Sequence, residues 1–165
     1  MIVIWSGMVA KASRKNRKKV VVAVSGGFDP VHVGHVRMFE AAKKLGDELV
    51  VILNNDNWLR KKKRHVFMPE EERREIVEAF RCVDQVILTG HGVDPEDMSV
   101  CSELKKLCPN IFAQGGDRHK KNVPGCEVEV CKTIGCKMVA DVGRGGKVQS
   151  SSWLLNNFIA KTAHS

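Results

Sequence analysis

The chain has 165 residues, 43% of them hydrophobic, and a formal charge of +8. That length fits one domain with a sizeable core, against ~100–200 residues per domain. Six of the positive charges are Lys11, Arg14, Lys15, Arg17, Lys18 and Lys19, so the body keeps only about +2, too little for a nucleic-acid surface, and no apolar run reaches the ~18 residues of a membrane span.

Residues 1–19 read as a basic, disordered tail ahead of a domain over 20–165. The basic cluster follows the apolar Met1–Ala10 stretch, the wrong order for a secretory signal. No acidic residue precedes Asp29, which leaves organellar targeting open; Met8 is an alternative start. The six cysteines, at 82, 101, 108, 126, 131 and 136, include no Cys-x-x-Cys pair, so free thiols in a reducing cytoplasm are expected.

Val20 to Val24 is short, β-branched and without alternation, the mark of a buried central strand. Ser25-Gly26-Gly27-Phe28-Asp29-Pro30 turns into a helix whose apolar side is Val36, Phe39, Ala42 and Leu45. His32 and His35 fall three apart in its first turn and share a face, beside free N–H groups and the positive end of the helix dipole. That combination is an anion site, with phosphate the usual anion. A zinc pair would need further ligands at useful spacing, and none lies nearby.

Glu48 to Asn54 is a second buried strand, and Asn55 to Phe67 reads as a basic loop carrying Arg60, Lys61, Lys62, Lys63 and Arg64. Pro69 opens a helix with Ile76, Val77 and Phe80 on its inner side. Strands follow at 86–88, 111–113 and 138–140, with helices at 98–107, 128–134 and 153–161. Gly143–Gly146 is a loop, and Ser150-Ser151-Ser152 opens the last helix. The alternation predicts an α/β fold: a Rossmann-like, doubly wound parallel sheet of about five strands in a single domain. Ligands of such sheets bind beyond the carboxyl ends of the strands, where all the unusual segments fall.

Gly27-Phe28-Asp29-Pro30-Val31-His32-Val33-Gly34-His35 resembles the first signature of the cytidylyltransferase-like nucleotidyltransferases, with Gly27 where many members carry Thr. Val51–Asp56, the basic loop and Pro69–Arg73 are similar to that family too. Gly115-Gly116-Asp117 resembles heptose-phosphate adenylyltransferases, and Gly146 to Ser152 the closing serine/threonine signature. The resemblance implies attack by a substrate phosphate on the α-phosphorus of CTP or ATP, releasing pyrophosphate, with a Mg²⁺ held through the phosphates. It casts His32, His35 and Lys62 as catalytic. Gly26, Gly27, Phe28, Gly34, Gly116, Asp117, Arg144, Ser150, Ser151 and Ser152 become nucleotide-binding, and Arg64 and Arg73 further phosphate contacts. Partners would be a nucleoside triphosphate and a small phosphorylated alcohol or sugar, with no nucleic acid and no membrane span; a homodimer is compatible.

CMP transfer and AMP transfer both stay open, the basic loop leaning to the former and Gly115-Gly116-Asp117 to the latter. Two rivals are a class I aminoacyl-tRNA synthetase core, for which the chain is short, and a non-catalytic nucleotide sensor. Trp58 and Trp153 read as packing residues rather than base-stacking platforms.

Overall fold

The computed structural model describes residues 18–115, 123–143 and 150–162. Gly116, Asp117 and Arg144, the tail before Lys18, and the end of the chain lie outside the described residues. Five parallel strands, β1 (Val21–Gly26), β2 (Glu48–Leu53), β3 (Gln85–Leu88), β4 (Ile111–Gly115) and β5 (Lys137–Val142), form one sheet in the order β3-β2-β1-β4-β5. The chain steps outward from β1 to β3 and then returns to its other side, so the order reverses between β1 and β4. Register runs from Val21 opposite Glu48 to Gly26 opposite Leu53, and Val22 also pairs with Ile111.

The apolar run of β1 is continuous because both faces of the strand are covered. Val22 and Val24 pack on one side with Phe39 and Ala42 of α1 (Val33–Lys43) and Val77 of α3 (Glu70–Glu78). Ala23 packs on the other with Leu104 of α4 (Cys101–Leu107) and Val130 and Cys131 of α5 (Gly125–Thr133). The sheet is therefore wound on both faces, as its alternation of elements implies. The last helix is α6 (Ser151–Thr162). Among the described residues no helix is long and apolar enough to cross a membrane.

Two sequence expectations are corrected. The basic stretch is not a loop: Asp56–Lys63 forms a helix, α2, capped by the Asn55 side chain accepting from the Trp58 amide. It ends at Arg64 in the left-handed region, φ 69°. In α3, Ile76 points outward at 40% exposure while Arg73 is fully buried, so an arginine sits where the apolar stripe was expected.

Candidate functional site

The turn after β1 carries the densest set of contacts. Phe28 is buried at φ 50°, a conformation that costs a non-glycine residue on the order of 1 kcal/mol or more. Its ring meets Phe39 at 5.0 Å between centroids and His35 edge-on at 4.9 Å. It forms a floor beneath His35. Gly26 and Gly27 lie against neighbouring side chains. A Cβ on Gly26 would meet the Phe28 ring at 2.8 Å, and one on Gly27 would meet Leu59 Cδ2 at 2.7 Å. Protein side chains fill the space beside those two glycines.

Asp29 is fully buried, and its two carboxylate oxygens accept from the amides of Phe67 and Met68, at 2.9 and 2.8 Å. Pinned in this way, it ties the segment before α3 to the turn.

His32 is the N-cap of α1. Its Nδ1 accepts from the Gly34 amide at 3.1 Å, and the His32 amide donates to Nδ1 of His35 at 3.2 Å. Two imidazoles thus form the reciprocal capping arrangement usually made by Ser or Thr with Glu. The sequence reading placed the histidines beside free helix amides; instead they consume two of them. Because each Nδ1 accepts, each ring carries its neutral-form proton on Nε2. The rings stack with centroids 3.7 Å apart.

Gly34 makes this possible, since a Cβ there would strike the His32 ring at 2.9 Å. Gly34→Ala should therefore push that ring out of place and lower kcat by ~10–10²-fold, the scale of a small misplacement of a reacting group. Steady-state kinetics beside a thermal melt checks this; unchanged kcat in a folded variant refutes the positioning role.

Burial lowers the His32 pKa from its usual value, and the Lys63 ammonium lowers it further. A depressed histidine pKa means that, below about pH 6.5, the unfolded chain takes up a proton the folded chain resists. Stability should thus fall as pH drops through that window toward the folded pKa. His32→Asn, which keeps a capping side chain, should show a flatter fall in Tm from pH 7 to 5; parallel curves would count against the assignment.

Lys63, given no role by the sequence reading, reaches the histidine turn. Its Nζ donates to the Asp29 carbonyl at 2.8 Å, and burial, with help from Arg73, lowers its pKa against the pull of Asp29. One helical turn back lies Leu59, fully buried against Gly27, so the inward face of α2 carries Lys63 to the histidine turn. Lys62, one step around the helix, is exposed, as is Arg64, whose charge helps to lower the pKa of Asp94. The available signal was the i, i+4 pairing of Leu59 with Lys63 behind an Asn N-cap.

Arg73 spends its guanidinium on the protein itself. Nε donates to the Met68 carbonyl at 2.9 Å, and Nη1 donates to those of Gly27 and Asn54 at 2.7 and 2.8 Å. Nη2 reaches Asp56 Oδ1 at 2.6 Å. The side chain is wholly buried and joins the chain ends leaving β1 and β2 to α2 and α3.

The serines divide by role. Ser150 caps α6, accepting from the Trp153 amide at 3.1 Å. Buried Ser151 donates to the Pro30 carbonyl at 2.9 Å, which brings the start of α6 to the histidine turn; Ser152 is exposed. The tryptophans divide as well. Trp58 is buried and donates to the Met98 carbonyl at 2.8 Å, whereas Trp153 is 54% exposed.

No group of three or more His, Cys, Asp or Glu among the described residues could hold a metal, and Asp29 has both oxygens engaged. A Mg²⁺ that keeps its usual waters and phosphate oxygens asks for no protein cage. The residues present therefore fit a cation carried in on the nucleotide.

A cytidylyltransferase-like family model matches residues 23–137. FAD synthase of Ferroglobus placidus is 45% identical over 102 residues, covering 62% of this chain and 61% of that protein. FAD synthase of Thermococcus kodakarensis is 41% identical over 105 residues, covering 63% and 67%. The chain thus spans about three fifths to two thirds of the length of these relatives. The bifunctional protein HldE of Citrifermentans bemidjiense is 37% identical over 121 residues, 72% of this chain and 24% of that one. Among solved structures, a lipopolysaccharide core biosynthesis protein from Thermoplasma volcanium superposes with a TM-score of 0.61 at 26% identity. That match covers 78% of this chain and all of that one.

Proposed function

Since the chain belongs to the cytidylyltransferase-like family, we propose that it is a nucleotidyltransferase that moves AMP from ATP to a small phosphorylated acceptor and releases pyrophosphate. The observation that carries this reading is the stacked His32–His35 pair, with an Nε2–H donor on each ring and Lys63 electrostatically coupled to it. The relatives called FAD synthase favour ATP over CTP and FMN as the acceptor, because FAD is AMP joined to FMN through a pyrophosphate. A second reading, a sugar phosphate as acceptor, is favoured by Gly115-Gly116-Asp117 and by the HldE match, which covers a larger share of this chain.

An acceptor phosphate oxygen is already anionic, so the attack on the α-phosphorus needs no protein base. The residues hold two polyanions in line and offset charge that builds on the α-phosphate and the leaving pyrophosphate. His32 and His35 donate from Nε2 to phosphate oxygens. Lys63 adds a full positive charge from the end of α2, where burial strengthens its field. Ser150 and Ser151 set the N-terminus of α6 beside Pro30, favourable to a phosphate. Gly116, Asp117 and Arg144 remain proposed nucleotide contacts, and a bound Mg²⁺ would neutralise the triphosphate further.

The test is turnover with ATP or CTP against FMN, a sugar 1-phosphate and glycerol 3-phosphate, following pyrophosphate and the coupled product by chromatography. ATP with FMN should give FAD. Pyrophosphate only with a sugar phosphate would select the second reading, and none from any pair with folded protein would remove the proposal.

A further inference from the structure

Two of the cysteines stand apart from everything above. Cys101 opens α4 and is buried; Cys126 lies in the first turn of α5 and is exposed. Cys101 Sγ donates to Cys126 Sγ across 2.8 Å, within about 1 Å of the ~2.05 Å of an S–S bond. We propose that Cys101 and Cys126 are a modification site: a latent, reversible disulfide that clamps α4 to α5 when the chain meets a disulfide oxidant such as oxidised glutathione.

The surroundings hold both sulfurs in register. The Val100 amide donates to the buried Glu127 carboxylate at 3.1 Å, and the Cys101 amide to Ser99 Oγ at 3.4 Å. The residue before one cysteine is thus tied to the residue after the other. Exposure sets the order of steps. Cys126 is exposed and Cys101 buried, so Cys126, as its thiolate, meets the oxidant first. That thiolate attacks one sulfur of oxidised glutathione, forming a mixed disulfide and expelling a glutathione thiolate. Cys101 then loses its proton to solvent and attacks Cys126 Sγ, expelling the second glutathione. Two protein thiols are oxidised by two electrons, and one glutathione disulfide becomes two thiols. Cys101 titrates late, its pKa pushed up to about 12 by burial and by its Cys126 neighbour, so the resolving attack is the slow step. Cys131 and Cys136 also lie close to each other, but both are buried and neither is open to the first attack.

The full chain, reduced and then incubated with oxidised glutathione, is read by intact mass, peptide mapping and thermal melting. The expected product is about 2 Da lighter, with a Cys101–Cys126 cross-linked peptide that dithiothreitol reverses. Closing a loop of that size should raise Tm by ~5–10 °C. C126S should form no cross-link and no glutathione adduct at Cys101, while C101S should stop as the glutathione adduct on Cys126, with any adduct on exposed Cys108 mapped separately. A persistent Cys126 adduct in the unmutated chain, a cross-link between other cysteines, or unmodified thiols would each overturn the proposal.

Discussion

Replacing Arg73 by Met is expected to remove ~3–5 kcal/mol of stability, a large part of the ~5–15 kcal/mol that holds a domain of this kind together. The side chain is fully buried and serves three carbonyls and one carboxylate. The substitution would leave Asp56 with only Arg60, 3.8 Å away, and the carbonyls of Gly27, Asn54 and Met68 without the guanidinium donor, each costing ~1–3 kcal/mol when it stays dry. Arg73→Lys should recover only a fraction, because an ammonium cannot span four acceptors in the geometry of the guanidinium fork. Urea unfolding measures both variants. A loss below ~1 kcal/mol for Arg73→Met would mean that water replaces the fork, and that these loops are held by something else.

Lys63→Ala should lower kcat/KM for the proposed transfer by ~10²-fold or more, with His32→Ala and His35→Ala of similar size, since each removes a donor to developing charge. His32→Ala should also cost ~1 kcal/mol through the lost cap. Lys61 and Lys62 carry the same charge on the same helix, but they are exposed and Lys61 is paired with Asp94. Their alanine variants should cost less than tenfold, and that loss should fade with salt, as expected of a general field. The comparison is one steady-state series at low and moderate salt. A larger effect at Lys62 than at Lys63 would mean that α2 turns its other face to substrate during turnover.

The contrast between exposed Lys62 and half-buried Lys63 shows where the sequence could be read and where it could not. The strand, glycine turn and histidine helix were visible because an apolar run, a turn and a helical period follow one another within Val20–Leu45. The five strands were visible for the same reason. α2 was hidden because only Trp58 and Leu59 among its eight residues are apolar, so no period shows above the charge run; without the helix, nothing distinguished three adjacent lysines. Arg73 was misread because composition offers no sign that a charged residue will replace an apolar one on an inner face. Its partners are mainly backbone carbonyls distant in sequence. The glycines were legible as places of close approach, but not what approaches: Phe28, Leu59 and the His32 ring are brought there by the fold.

The capping arrangement at α1 also gives the protein an internal reporter. The amide protons of His32 and Gly34 point at ring nitrogens that can accept only while those rings are unprotonated on Nδ1. Their nitrogen and proton frequencies in a two-dimensional correlation spectrum should therefore follow imidazole ionisation directly. Two backbone cross-peaks would titrate with the histidines with no probe attached, and would register a bound anion through its effect on that ionisation.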